Sequence, residues 1–149
     1  MNAALSYMSG ARVSEHMLVA AVRHPTSVTV GELRRYFLDL HVHAALLVTD
    51  DGRLDAVVER ADLDGGLTGD APVEGCDDDP AAPRGRLVGR IVAPDAAIED
   101  VYRGMRASGR RRLAVVDSEN RLLGLLCLKR SGRGFCTAVD VASRVAGGD

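Results

Sequence analysis

Tryptophan is absent from these 149 residues, and only two phenylalanines and three tyrosines are present. So small an aromatic content leaves no platform for stacking bases, as single-strand nucleic-acid binders require. An excess of positive charge is missing too: 19 Lys and Arg face 21 Asp and Glu, a formal net charge of -2. General nucleic-acid binding needs a dominant positive field, so any basic site here is local. No apolar run approaches the roughly 20 residues that span a bilayer. The first twenty residues include Arg12 and Glu15 and lack the compact apolar region of a secretory signal. Cysteine is scarce: Cys76, Cys127 and Cys136 have neither an even count nor metal-ligand spacing. They fit a reducing compartment better than a disulfide framework, and the chain reads as cytoplasmic. Its core has to be built from Val, Leu and Ala.

What the sequence does have is a doubled pattern. Arg110-Arg111-Arg112 leads into the apolar run Leu113-Ala114-Val115-Val116-Asp117. A turn at Ser118-Glu119-Asn120 and a second apolar run, Arg121 to Cys127, follow. The same grammar stands earlier as His43 to Thr49, the turn Asp50-Asp51-Gly52, and Arg53 to Val58. The copies align without gaps: Val30 with Ile98, Leu33 with Val101, Phe37 with Met105, Val48 with Val116, and Arg53-Leu54 with Arg121-Leu122. A unit of about 45 residues is too small to bury an adequate core, so the pair is expected to be the folding unit.

Taken in order, residues 1–21 are expected to be a leader segment. Met8, Val13, Met17 and Leu18 supply an apolar helix face, broken by Ser9-Gly10, that packs on a domain edge or contributes dimer contacts. The first motif spans 22–63. Val28-Thr29-Val30 alternates like a strand, and Pro25 disfavours helix at the residue before it. Thr29 with Glu32 forms a capping-box signature ahead of Val30, Leu33, Phe37 and Leu40 at helical spacing. Asp51-Gly52 marks a hairpin between Ala44–Val48 and Leu54–Val58, and Glu59 to Leu63 opens a short helix.

Residues 64–86, turn-rich and acidic, read as a linker or surface loop, with Asp77-Asp78-Asp79 solvated rather than metal-binding. The second motif spans 87–131: a strand at Ile91-Val92, a helix opened by Pro94-Asp95 and ended by Gly109, and the hairpin from Leu113 to Leu126. A C-terminal extension, 132–149, includes a short helix from Asp140 to Val145.

A repeated strand–helix–strand–strand–helix unit of this kind resembles a CBS-domain pair (the cystathionine-β-synthase-type module). The resemblance covers about residues 20–63 and 87–131 and is carried by Leu113–Asp117 with Arg121–Leu126 and by Ala56–Asp62. It implies an α+β fold (an α/β sandwich) of tandem β-α-β-β-α motifs related by a pseudo-two-fold axis. It also implies a stand-alone, non-catalytic regulatory module that binds AMP, ADP, ATP or S-adenosylmethionine in an inter-motif cleft.

By the same resemblance, Asp62 stands at the ribose-binding position. Its cleft also takes Glu59, Ala96, Arg110, Arg111 and Arg112, the arginines offering charge-assisted donors to phosphates. Glu59 stands where the family usually has Ser or Thr, and Ala56 where it has Gly. The second cleft keeps Gly124 but has Cys127 and Arg130 at the matching positions, and Arg accepts no hydrogen bond from a ribose diol; its other wall carries His43 and Ala44. At most one nucleotide site per pair is therefore expected.

Plainer readings stand beside these. Three consecutive arginines also serve as solvated surface charge, Asp62 as a helix cap, Cys127 as a small buried hydrophobe, and Cys136 as a structural residue, or a redox-active one if it is exposed near Arg133. His41 and His43 lack a third ligand for a metal. There is no phosphate-binding glycine loop and no activated nucleophile, so no enzyme, cofactor or metal is expected. A homodimer and a protein partner that the sequence does not name are expected. The alternative is a ligand-free module for dimerisation or protein interaction.

Overall fold

The computed structural model describes residues 10–19, 21–39, 42, 44–64, 76–132 and 134–136. It divides into one unit of residues 22–90 and a second of residues 1–21 with 91–149. Met8, Leu40, His41, His43, residues 65–75, Arg133 and the expected helix at Asp140–Val145 lie outside the described residues.

In the unit of residues 22–90, β1 (Arg23–Pro25) leads into α1 (Val30–Tyr36). After it come β2 (Ala44–Val48), β3 (Leu54–Glu59) and α2 (Arg60–Asp64). β2 lies in the middle, parallel to β1 and antiparallel to β3. A central strand is covered on both faces, which is why Ala44–Val48 is a continuous apolar run rather than an alternating one. The first strand forms at Arg23–Pro25, not over Val28–Val30. Pro25 lacks an N–H and tolerates only an edge position, whereas Thr29 is needed as a cap. Its Oγ1 accepts from the Glu32 N–H at 3.2 Å, and Glu32 Oε1 accepts from the Thr29 N–H at 3.1 Å. Val30, Leu33 and Phe37 turn inward onto Leu47 and Val58.

The other unit repeats this plan with β4 (Ile91–Val92), α3 (Ile98–Ser108), β5 (Arg112–Val116) and β6 (Leu122–Cys127). Its helix starts at Ile98, later than Pro94-Asp95 suggests, because those residues make a turn. Gly109 ends the helix in the left-handed conformation at φ 75°, as its residue type predicts. The hairpins match residue for residue. Val48 pairs with Leu54 after a register shift at Leu47/Val48, and Val116 pairs with Leu122 after one at Val115/Val116.

Each motif is completed by the segment that precedes the other motif in the chain. Gly10–Val19 joins the second motif: Leu18 bridges Leu125, and Arg12 bridges Ala97. Residues 76–90 join the first motif in the same way, Arg86 bridging Val57 and Pro80 bridging Thr29. Early helix N–H groups need acceptors from outside the helix. Val30 finds the Asp79 carbonyl at 2.9 Å, and Ile98 finds that of Ala11 at 3.1 Å.

Two expectations change accordingly. Residues 76–86 are not a bare linker, since they supply an edge to β3 and acceptors to α1. Gly10–Val19 is not helical: it makes a 3₁₀ turn at Val13–Glu15 and then extends. Val13 is fully buried, a burial that contributes about 1.5–3 kcal/mol to fastening the segment.

The repeat also explains the alanine at position 56. Gly124 in β6 lies under Met17: a Cβ there would come within 2.8 Å of the Leu18 carbonyl and 3.0 Å of Met17 Sδ. In the first-motif unit the strand carries Ala56, and the crossing segment carries Gly85 instead. A Cβ on Gly85 would fall 2.8 Å from the Val57 carbonyl and 3.0 Å from Ala56 Cβ. One small residue is needed where the two backbones cross, and the copies place it on opposite partners.

Candidate functional site

β3 ends at Glu59, and α2 begins at the next residue. The Asp62 carboxylate reaches back to this junction, where Oδ2 accepts the Glu59 N–H at 2.7 Å. Asp62 is therefore a cap, one of the two roles its position suggested.

Its other partner is a residue the sequence reading did not nominate. Arg90 donates from Nη1 to Asp62 Oδ2 at 2.6 Å and from Nη2 to Oδ1 at 3.1 Å, a bidentate pair. Nη1 also donates to the Val57 carbonyl at 2.7 Å, and Nη2 lies 3.2 Å from Glu59 Oε1. The side chains of Arg90 and Asp62 are only 6% and 8% exposed, against 24% for Glu59. Two carboxylates withdrawn this far from water require a cation.

Burial by itself would push the Asp62 carboxyl up. The Arg90 hydrogen bonds and the Glu59 N–H outweigh it and hold the group below the usual carboxylate range. Arg90 is shifted upward, chiefly by its hydrogen bond to Asp62. The junction thus holds a fixed carboxylate, ionised at neutral pH, with three of about four acceptor positions filled from within the unit. Arg90 Nε is buried without a hydrogen-bond partner.

Of the nominated residues, Glu59 and Asp62 come together in the unit of residues 22–90. Ala96, Arg110, Arg111 and Arg112 belong to the other unit. Ala96 packs on that unit's core, and its carbonyl accepts the Val13 N–H at 3.0 Å. Arg110, Arg111 and Arg112 are half-buried. Arg111 Nε donates to the Leu128 carbonyl at 3.3 Å, and Arg112 Nη1 donates to the Arg111 carbonyl at 3.3 Å.

At the matching point of the second motif, Cys127 is buried, Arg130 is exposed, and the described residues after β6, 128–132 and 134–136, form no helix. The chain turns at Gly132 and returns, Leu128 bridging Phe135. Gly132 is fixed there by its neighbours: its carbonyl accepts from Tyr102 Oη and from Arg106 Nη1. With φ at 73°, the position favours glycine.

Arg60 is a second residue missed in the sequence. Its guanidinium covers the Phe37 ring at 5.3 Å and donates to the carbonyls of Phe37, Asp39 and Val42. It thereby satisfies acceptors at the end of α1. The signal for Arg90 was indirect: two acids leaving an apolar strand imply a cation, but three arginines in residues 84–90 competed for the part. Among the described residues, no cluster of His, Cys, Asp and Glu has the makings of a metal site, and no helix is long and apolar enough to cross a membrane.

Comparisons with known proteins follow the same lines. A family model described as CBS domain matches residues 85–130. A search of curated proteins for similar sequences returns no match. Among solved structures, CBSX2 in complex with AMP superposes with a TM-score of 0.64 at 22% identity, covering 92% of this chain and 99% of its own. A CBS domain protein from Pyrobaculum aerophilum complexed with AMP gives 0.60 at 21% identity, covering 91% and 99%. A CBS domain pair in complex with 5′-methylthioadenosine and S-adenosyl-L-methionine gives 0.59 at 13% identity, covering 93% and 98%. Residues 85–130 are thus similar to a CBS domain, and the chain has the fold of the CBS-domain pair.

Proposed function

We propose that this chain is a non-catalytic regulatory module of the cytoplasm. It senses an adenosine-containing nucleotide, AMP, ADP, ATP or S-adenosylmethionine, and passes occupancy to a protein partner or across a homodimer. The observation that carries this reading is the Asp62 carboxylate, held ionised at the β3–α2 junction with Oδ1 only half used. A fixed carboxylate with spare acceptor capacity suits a ribose diol. The AMP and S-adenosylmethionine complexes among the structural neighbours support the ligand class.

Arg90 gives the reading a specific form. It already bonds both carboxylate oxygens, so a ribose must share Oδ1 with Arg90 or displace one of its bonds. Affinity is then reduced by the cost of loosening that pair. Ala96, Arg110, Arg111 and Arg112 are proposed to serve the same ligand, the arginines through its phosphates.

The same geometry favours a second reading, a ligand-free interaction module, because Arg90 satisfies Asp62 from within the unit. Titration calorimetry and melting curves with each of the four nucleotides separate the two. The first reading expects a rise in melting temperature with at least one nucleotide, and a loss of about 1–3 kcal/mol of binding in Asp62→Ala. Arg111→Ala and Arg112→Ala are expected to weaken phosphorylated ligands most. No binding of any of them at millimolar concentration would favour the ligand-free module.

A further inference from the structure

Two of the three cysteines, given separate roles by the sequence, meet in the second-motif unit. Beyond β6 the chain folds back on itself as a short antiparallel ribbon. Leu128 bridges Phe135, Lys129 donates its N–H to the Gly134 carbonyl at 2.9 Å, and Cys136 donates its N–H to the Cys127 carbonyl at 2.6 Å. That register sets Cys127 and Cys136 directly opposite each other. Their Sγ atoms are 2.7 Å apart, and each residue is 2% exposed. Opposed residues of a hydrogen-bonded antiparallel pair have Cα atoms about 5.5 Å apart, inside the span a disulfide bridges. The first motif has Glu59 in place of Cys127, so the arrangement belongs to the second motif alone.

We propose that Cys127 and Cys136 are a reversible redox modification site, closed to an intramolecular disulfide by a small peroxide and tying residues 134–136 to β6. One sulfur, as thiolate, attacks a peroxide oxygen. The O–O bond breaks, and the products are a sulfenic acid and, after protonation, one water. The second sulfur attacks the sulfenic sulfur, the S–O bond breaks, and hydroxide leaves as a second water. Two thiols lose two protons and two electrons, and one hydrogen peroxide becomes two waters. A dithiol reductant reverses the change by exchange. Burial selects a small oxidant over a bulky disulfide. The opposing thiol, already in contact, favours ring closure over further oxidation to the sulfinic acid.

The competing view is that both thiols only pack as small hydrophobes. The test treats the full chain with hydrogen peroxide, unfolds it in iodoacetamide, and reads intact mass and a peptide map. The expected result is a single carbamidomethyl group, at Cys76, on a chain otherwise lighter by about 2 Da, a peptide joining Cys127 to Cys136, and recovery with dithiothreitol. Slower amide exchange at Cys136 in the oxidised chain, by about tenfold or more, is expected from the tether. Unchanged exchange in an oxidised chain overturns the tether. A disulfide through Cys76 overturns the site, as do a sulfinic acid at Cys127 or Cys136 and full alkylation of both after peroxide that oxidises a reference thiol. In Cys136→Ser, dimedone is expected to trap a sulfenic acid at Cys127. Should that variant not fold, Cys76→Ser under the same mapping carries the decision.

Discussion

At the end of its hairpin the first motif continues as a helix, while the second turns back on itself. The alignment makes the two exits equivalent, and their strands share one register, so the difference arises from a few side chains. Asp62 caps α2 by accepting the Glu59 N–H and is itself held by Arg90. At the equivalent position Arg130 has no acceptor with which to cap anything, and the chain reverses at Gly132 instead. A charge at one capping position thus decides both the local structure and the available chemistry. The first exit presents a carboxylate, the second a pair of thiols.

Removing the cation from the first exit is the largest perturbation. Arg90→Met removes the hydrogen-bonded cation that Asp62 and Glu59 share, and a cost of about 3–5 kcal/mol is expected in urea unfolding. Adding Asp62→Asn is expected to recover part of that loss; a double variant no more stable than Arg90→Met would show that Arg90 acts through packing alone.

The crossing of strand and lead-in segment gives the next effect. Gly124→Ala is expected to cost about 1–3 kcal/mol through overpacking against Met17 and Leu18. Combined with Met17→Gly it rebuilds the Ala56/Gly85 arrangement, and part of the loss should return. Additive losses in the double variant would refute the exchange of small residues between copies.

Acid titration gives the smallest and most graded effect. His24 lies edge-on to Tyr36 with ring centroids 4.4 Å apart. Burial lowers its pKa, partly offset by Glu32. The unfolded chain therefore takes up the proton first, and stability declines as pH falls below the ordinary histidine value of 6.5. Asp62 adds a second step. Its folded-state pKa is depressed, so its contribution is present above the ordinary value of 3.8 and is lost as pH falls through the folded value. His24→Gln should abolish the upper step and leave the lower; Asp62→Asn should do the reverse.

Much of the scaffold could be read from local chemistry. The Asp51-Gly52 turn, the Thr29/Glu32 box, the Gly109 terminus and the short run at Ile91-Val92 all stand where their residue types put them, since each answers to neighbours a few positions away. The first strand and the start of α3 were misread for the same reason. Val28–Val30 alternates like a strand, and Pro94 suits a first helical turn, but long-range bridges to Pro80 and Arg12 claim those stretches instead. At the site, Asp62 was legible as cap and acceptor, and Arg90 was not. A buried ion pair depends on where a distant segment returns, and periodicity carries no record of that.

By itself, then, the sequence determined a doubled α+β plan, the apolar cores of both copies, and the inequality of their exits. Hairpin turns, caps and hydrophobic spacing act over a few residues, so they are written where they act. Only the tertiary structure decided that each motif is completed by the lead-in of the other, that Arg90 closes on Asp62, and that Cys127 meets Cys136. Those contacts join residues far apart along the chain or reversed by a single turn. Their partners are chosen by burial and by the need to satisfy backbone and charge, which no local stretch specifies.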